Sequence, residues 1–204
     1  MITGKVEHWR DDVIGLRPVY TERGNATELM LRSGEVKVDE RGIKSVLAAL
    51  ARSYAIDFKA QRVQLGKVLQ KQASLPFHLG SERIFVPLKM RRAVTDNDQV
   101  YGYVDVRCLD EPRAGAEGQC LVMLKTGLEL EVLSSVTTAA ASRHTGLRLL
   151  EILNADSGRK AEEQQALDVI FRLIHCLTDM HDRLRRIEHK LDRQVAEPDG
   201  GYTP

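Results

Sequence analysis

"SERIFVPLKMRR", Ser81 to Arg92, is an apolar run that ends in a burst of positive charge. Side chains alternate between the two faces of a strand, so Ile84, Val86, Leu88 and Met90 fall on one side, with Arg83, Phe85, Lys89 and Arg91 on the other. The first set predicts a core face. The second predicts a basic, aromatic face within reach of solvent. Pro87 has no donor for a ladder, which places the segment at a sheet edge or at the end of a strand.

Outward from this strand, the pattern is that of an α+β domain. Upstream, "VIGLRPVY", "ELMLRS" and "EVKV" read as short strands, separated by Arg23-Gly24-Asn25 and Ser33-Gly34. A helix follows, with Asp39 as the expected N-cap and Ile43, Val46, Leu47, Leu50 and Tyr54 at helical spacing. The segment Phe58 to Gln70 has no clean period and reads equally as helix or loop. Downstream, "QVYGYVDVRCL" and "GQCLVMLKTGLELEVL" alternate as half-buried antiparallel strands, the latter folding back at Lys125-Thr126-Gly127. Asp110 to Gly118 is a long connecting loop, and a helix from about Thr137 to Leu153 closes the domain.

Residues 154–160 read as a linker, and residues 161–195 follow a heptad. Ile170, Leu177, Leu184 and Leu191 take the a positions, while Leu173, Met180 and Ile187 take d. A repeat sustained over about three heptads predicts a coiled coil, and hence a homodimer or tetramer. Residues 196–204 lack any such pattern and are expected to be disordered. The fold class is therefore α+β: an antiparallel sheet or a small barrel-like β domain over residues 1–153, with two packed helices, followed by a C-terminal coiled-coil helix.

The chain has 204 residues, room for one domain of roughly 150 residues and an appendage. Cys108, Cys120 and Cys176 are odd in number and form no Cys-x-x-Cys pair, as suits a reduced compartment. The N-terminal "MITGKVEHWRDD" has no apolar core, and no window approaches the roughly 18 apolar residues of a membrane span. The expected location is cytoplasmic, with no membrane partner.

Overall charge is balanced, with 30 Lys and Arg against 29 Asp and Glu. Its distribution is not. Between Arg52 and Arg92 the cations Arg52, Lys59, Arg62, Lys67, Lys71, Arg83, Lys89, Arg91 and Arg92 face only Asp57 and Glu82. A basic segment in a neutral chain is the electrostatic footprint of a polyanion binder.

Signatures of catalysis are missing. The chain has no phosphate-binding G-x-x-x-x-G-K-[ST], no dinucleotide G-x-G-x-x-G, no H-E-x-x-H and no G-x-S-x-G. His175 and His181 are six apart and so share no helix face for a metal. The D-x-S-x-x-G element of the PilZ receptors is also absent. The expectation is a protein that is not an enzyme, with no cofactor, no metal and no small-molecule substrate.

Several of these residues fall in an order that resembles the competence transcription factor ComK family, over about Val13 to Leu150. "SYAIDFKAQR" stands where the family has Ser-Tyr followed by a Gly-Arg element, and "ASLPFHLGSERIFVPL" stands where it has a Pro-Ile step and a strand ending Phe-Pro-Thr. Ser53, Tyr54, Pro76, Phe85 and Pro87 match in order, and "LKTGLELEVLSS" takes the place of a strand, turn and strand ending in Ser. Ala55-Ile56 replaces the glycine before the arginine, Leu88 replaces the threonine, and Tyr101 and Tyr103 occupy the neighbourhood of a Cys-x-Trp. The resemblance implies a DNA-binding transcriptional regulator that acts as an oligomer on A/T-rich sites.

The residues themselves point the same way. Cations interleaved with Phe85 and Tyr101 suit contacts to phosphates, with Arg83, Lys89, Arg91 and Arg92 at the centre and Arg62, Lys67 and Lys71 extending the patch. A dimerising helix would double those contacts. Two rival readings are a protein interaction module with a basic face and a small-ligand receptor with its pocket under the loop from Asp110 to Gly118.

Overall fold

The computed structural model describes residues 4–96 and 98–156, together with the helical positions 165, 170–172 and 180. Its centre is a six-stranded sheet. β1 (Val13–Thr21) and β2 (Gly24–Leu31) form a hairpin in register from Thr21↔Gly24 to Val13↔Leu31, with an irregularity at Val13/Gly15. Gly24 turns the chain at φ 108°, a left-handed conformation that glycine adopts without a Cβ penalty. β3 (Val36–Asp39) pairs with β2, while β4 (Phe77–Leu79), β5 (Arg83–Lys89) and β6 (Tyr101–Asp105) complete the order β3-β2-β1-β6-β5-β4. Each of these neighbours is antiparallel. The sheet is open, not a closed barrel.

Both faces of β5 are buried, which corrects the expectation of one solvated face. Ile84, Val86, Leu88 and Met90 pack with Val104, Val106, Leu109, Val122 and Leu130 on one side of the sheet. Phe85 is equally inaccessible on the other side, among Leu16, Leu29, Val46, Leu50 and Phe77. Pro87 lies beyond the end of β4, which pairs β5 only from Arg83 to Phe85. Its carbonyl therefore turns away from β6 and accepts from Ser142 Oγ at 2.8 Å. The missing N–H falls where no neighbouring strand needs it.

α1 (Ile43–Ser53) covers one face with the expected stripe of Ile43, Val46, Leu47 and Leu50. Its N-cap is Gly42, not Asp39. The Asp39 carboxylate instead accepts from the N–H groups of Val6 and Arg41 and from the Arg41 guanidinium, tying the N-terminal 3-10 turn Val6–Trp9 to the sheet. α2 (Phe58–Leu69) settles the ambiguous segment as helix, and its cap is Asp57, which accepts from Lys59 N and Ala60 N. Such a cap is worth about 1 kcal/mol.

The turn between the helices is a tight one. Ile56 N donates to Ala51 O and Ala55 N donates to Arg52 O, both at 3.0 Å, and Ala55 itself sits at φ 55°. This is the pattern that usually ends a helix on glycine. Gln70, at φ 51°, closes α2 with the same pair of bonds through Lys71 N to Gly66 O and Gln70 N to Lys67 O.

A second sheet of three strands, β7 (Arg113–Ala114), β8 (Cys120–Met123) and β9 (Glu129–Val132), buries Cys120, Val122, Leu130 and Val132 with the core face of β5, while Glu129 and Glu131 face out. Residues 136–156, here α3, are helical and start from Ser135, whose Oγ accepts from Thr138 N. Gly146 lets α3 approach β5, because a Cβ there would collide with Val86. The helix runs past Leu153 through positions 154–156, where a linker was expected.

The chain divides into Met1–Ala155 and Asp156–Pro204. Of the heptad positions, Ile170 and Met180 are helical, with half of each side chain exposed in the single chain. Leu173, Leu177, Leu184, Ile187 and Leu191 lie outside the described residues, as do Cys176, His175, His181 and the tail over 196–204. Among the described residues no helix is long and apolar enough to cross a membrane.

Candidate nucleic-acid interface

The cations of the basic segment fall into two groups, and the first is held inside the protein. The Arg83 guanidinium donates to the carbonyls of Arg10 (2.9 Å) and Val13 and to the Tyr54 hydroxyl (2.6 Å), with Asp105 Oδ2 4.0 Å from its Nε. It also lies over the rings of Tyr54 and Phe85. Arg91 stacks over Tyr20 at 4.1 Å and donates to Val19 O and Asn25 Oδ1, next to Asp98. Asp98 accepts from Tyr20 Oη and from the N–H groups of Val94 and Thr95, so its carboxyl stays far below the usual carboxylate range. These two arginines fasten the sheet to its flanking segments through their terminal N–H groups, while both Nε atoms are buried without a hydrogen-bond acceptor. Lys89 is half-buried beside the end of β9, its carbonyl accepting from Leu133 N, and Arg92 is exposed on the following loop.

The second group is presented by the helices. Arg52, Lys59, Arg62 and Lys67 are exposed on α1 and α2, and none of them has an ion-pair partner among the described residues. Arg52 Nε makes a long bond to Ala48 O at 3.4 Å, one turn back in its own helix. Lys71 reaches Thr145 Oγ1 of α3 at 3.3 Å.

Three adjoining grooves link these side chains. The first, about 620 Å³, lies between α1, α2 and β6, with Lys44, Arg52, Lys59 and Arg62 around it and Asp57 as its acid. Arg62 is shared with a second groove that holds Lys67 and Lys71, and Lys71 is shared with a third that adds His144 and Arg148. The free positive charge therefore forms one band along α1, α2 and the facing side of α3. Like charges this close are tolerated on a solvated face and favoured opposite a polyanion.

Aromatic rings underlie the band at its α1 end. Phe77 stacks on Phe85 at 4.8 Å and meets Phe58 and Tyr103 edge-on at 5.5 and 5.3 Å. Tyr101 and Tyr103 line the same groove, and burial pushes the Tyr103 phenol up against the opposing field of Arg62, so it stays protonated at neutral pH. Among the described residues, three that are not glycine hold left-handed backbone: Gln70 and Ser74, which line these grooves, and Ala55, next to Ile56 of the first groove. Such conformations persist only where the surrounding fold imposes them.

Family models, curated proteins and solved structures give no match to this chain.

Of the nine cations expected to contact DNA, then, Arg52, Lys59, Arg62 and Lys67 lie together on the helices, with Lys71 just past the end of α2. Arg83 and Arg91 stand apart from them, fixed in the fold. Lys44 and Arg148 join the band although they lie outside the basic stretch of sequence. No signal in the chain marked them, since each sits in a locally neutral segment. Among the described residues no three His, Cys, Asp or Glu side chains converge as a metal site.

Proposed function

We propose that the protein is a DNA-binding transcriptional regulator that engages A/T-rich duplex through the band on α1 and α2 and assembles as a dimer through its C-terminal heptads. The observation that carries this reading is the run of cations without ion-pair partners among the described residues, from Lys44 and Arg52 through Arg62 to Lys71, where most of the other described arginines are matched to carboxylates. Each phosphate neutralised by such a side chain releases counterions, which yields affinity that falls steeply with salt. The resemblance to the ComK family adds the A/T preference, for which arginine in a narrow minor groove is the physical route.

Fluorescence anisotropy with A/T-rich and mixed duplexes at several salt concentrations tests the reading. Tight, salt-sensitive binding that favours the A/T-rich duplex is expected. Absence of binding at low salt would assign the band to another acidic partner. For the assembly, Leu184→Glu places a charge at an a position and should turn a sedimenting dimer into a monomer. A variant that still sediments as a dimer would remove the heptad from the account.

A further inference from the structure

The groove between α1, α2 and β6 has features that phosphate contact alone does not require. Its volume, about 620 Å³, falls within the range of small-molecule sites. Ile43, Leu47, Ile56, Phe58 and Tyr103 give it an apolar floor, continuous with the Phe77–Phe85 ring stack beneath. A surface that only holds a sugar-phosphate backbone needs no such floor. The Tyr103 phenol stays protonated, so it brings a hydroxyl donor to the cleft.

Around this floor stand Lys44, Arg52, Lys59 and Arg62, and one carboxylate, Asp57. The Asp57 side chain is already engaged by the N–H groups of Lys59 and Ala60, at a helix N-terminus that offsets its charge. The rim is therefore cationic toward any occupant. An apolar body below and uncompensated positive charge above define the complement: a molecule with an apolar end and an anionic end.

We propose that this cleft binds a small organic acid, a carboxylate carried on an aromatic ring or short alkyl chain, with the carboxylate between Arg52 and Arg62 and the apolar body against Phe58, Leu47 and Tyr103. A nucleobase suits the floor less well. Its polar edge would be buried against aliphatic groups with few partners, which costs free energy that a phenyl ring or alkyl chain does not incur. Only the cleft is needed for this, whether or not the band binds DNA.

Isothermal titration of the full-length protein, without DNA, tests it with 4-phenylbutyrate, the matched cation 4-phenylbutylamine and adenosine monophosphate. Saturable binding of the acid at or below about 1 mM is expected for a ligand of this size, with no heat from the amine and weaker binding of the nucleotide. Ala48→Phe fills the cleft from a half-buried lining position, and Arg62→Glu reverses charge at an exposed one. Each should lower affinity for the acid at least tenfold. Arg62→Glu keeps the test open should Ala48→Phe not fold. Four results would overturn the assignment: no binding of the acid, equal binding of acid and amine, stronger binding of the nucleotide, or unchanged affinity in folded variants.

Discussion

Two sets of cations in one basic segment have opposite fates, and the difference lies in what each can reach. Arg83, the first residue of β5, and Arg91, two residues past its end, reach backbone carbonyls at and before β1: Arg10 and Val13 for one, Val19 for the other. Arg52, Lys59, Arg62 and Lys67 project from helices whose carbonyls are largely spent within the helix, along grooves whose one acid among the described residues is Asp57. A guanidinium beside unsatisfied backbone becomes part of the fold, whereas one on a satisfied helix remains available to a partner.

The sharpest way to break this contrast is Arg83→Ala. Removing the guanidinium leaves the Val13 and Arg10 carbonyls and the Tyr54 hydroxyl without their donor and the buried Asp105 without its ion-pair neighbour, which costs about 3 kcal/mol. For a chain of this size that corresponds to a fall of roughly 6–12 °C in Tm. Melting by circular dichroism measures it directly. A variant that melts with the wild type would mean Arg83 is as dispensable to the fold as the helix cations.

A smaller, opposite effect is expected at the turn that sets α2 against α1. Ala55 holds φ 55°, where an L side chain costs about 1 kcal/mol relative to glycine. Ala55→Gly should therefore raise Tm by roughly 2–4 °C. A decrease would show that the methyl group makes contacts worth more than the strain.

The smallest effect concerns another fixed arginine. Arg41 bonds to Glu7 and Asp39, and it holds the Glu7 carboxyl down at about 2 against an ordinary 4.5. Because the folded value is the lower one, its contribution is present above the ordinary value and fades as pH drops from about 4.5 toward 2. Glu7→Gln should make Tm less steep across that window in a pH series. An identical slope would assign acid sensitivity to other carboxylates.

Much of the architecture was legible because periodicity survives folding. Ile84, Val86, Leu88 and Met90 did share a buried face, Ile43 to Leu50 did form the helix stripe, and Glu129 and Glu131 did face out. What alternation could not show was that the opposite face of β5 would also be covered. Phe85 is sealed by α1 and Phe77, both supplied from other parts of the chain. The fate of Arg83 and Arg91 was hidden for the same reason, since their carbonyl partners lie some seventy residues upstream. Ala55 concealed the turn after α1, because alanine gives no sign of left-handed backbone. The cleft lies beside that turn, whereas the rival reading of a small-ligand receptor put its pocket under the loop from Asp110 to Gly118. Charge, by contrast, was read correctly as a local excess but not as two populations.

The direct test of the central claim compares DNA binding by the wild type and by Arg62→Ala/Lys67→Ala, with melting temperature recorded alongside. Anisotropy of an A/T-rich duplex across a salt series should give a log–log slope shallower by about two in the double variant, roughly one for each phosphate that is no longer neutralised, with Tm unchanged. A slope and affinity equal to the wild type, in a folded protein that binds DNA, would contradict the assignment of the α1–α2 band.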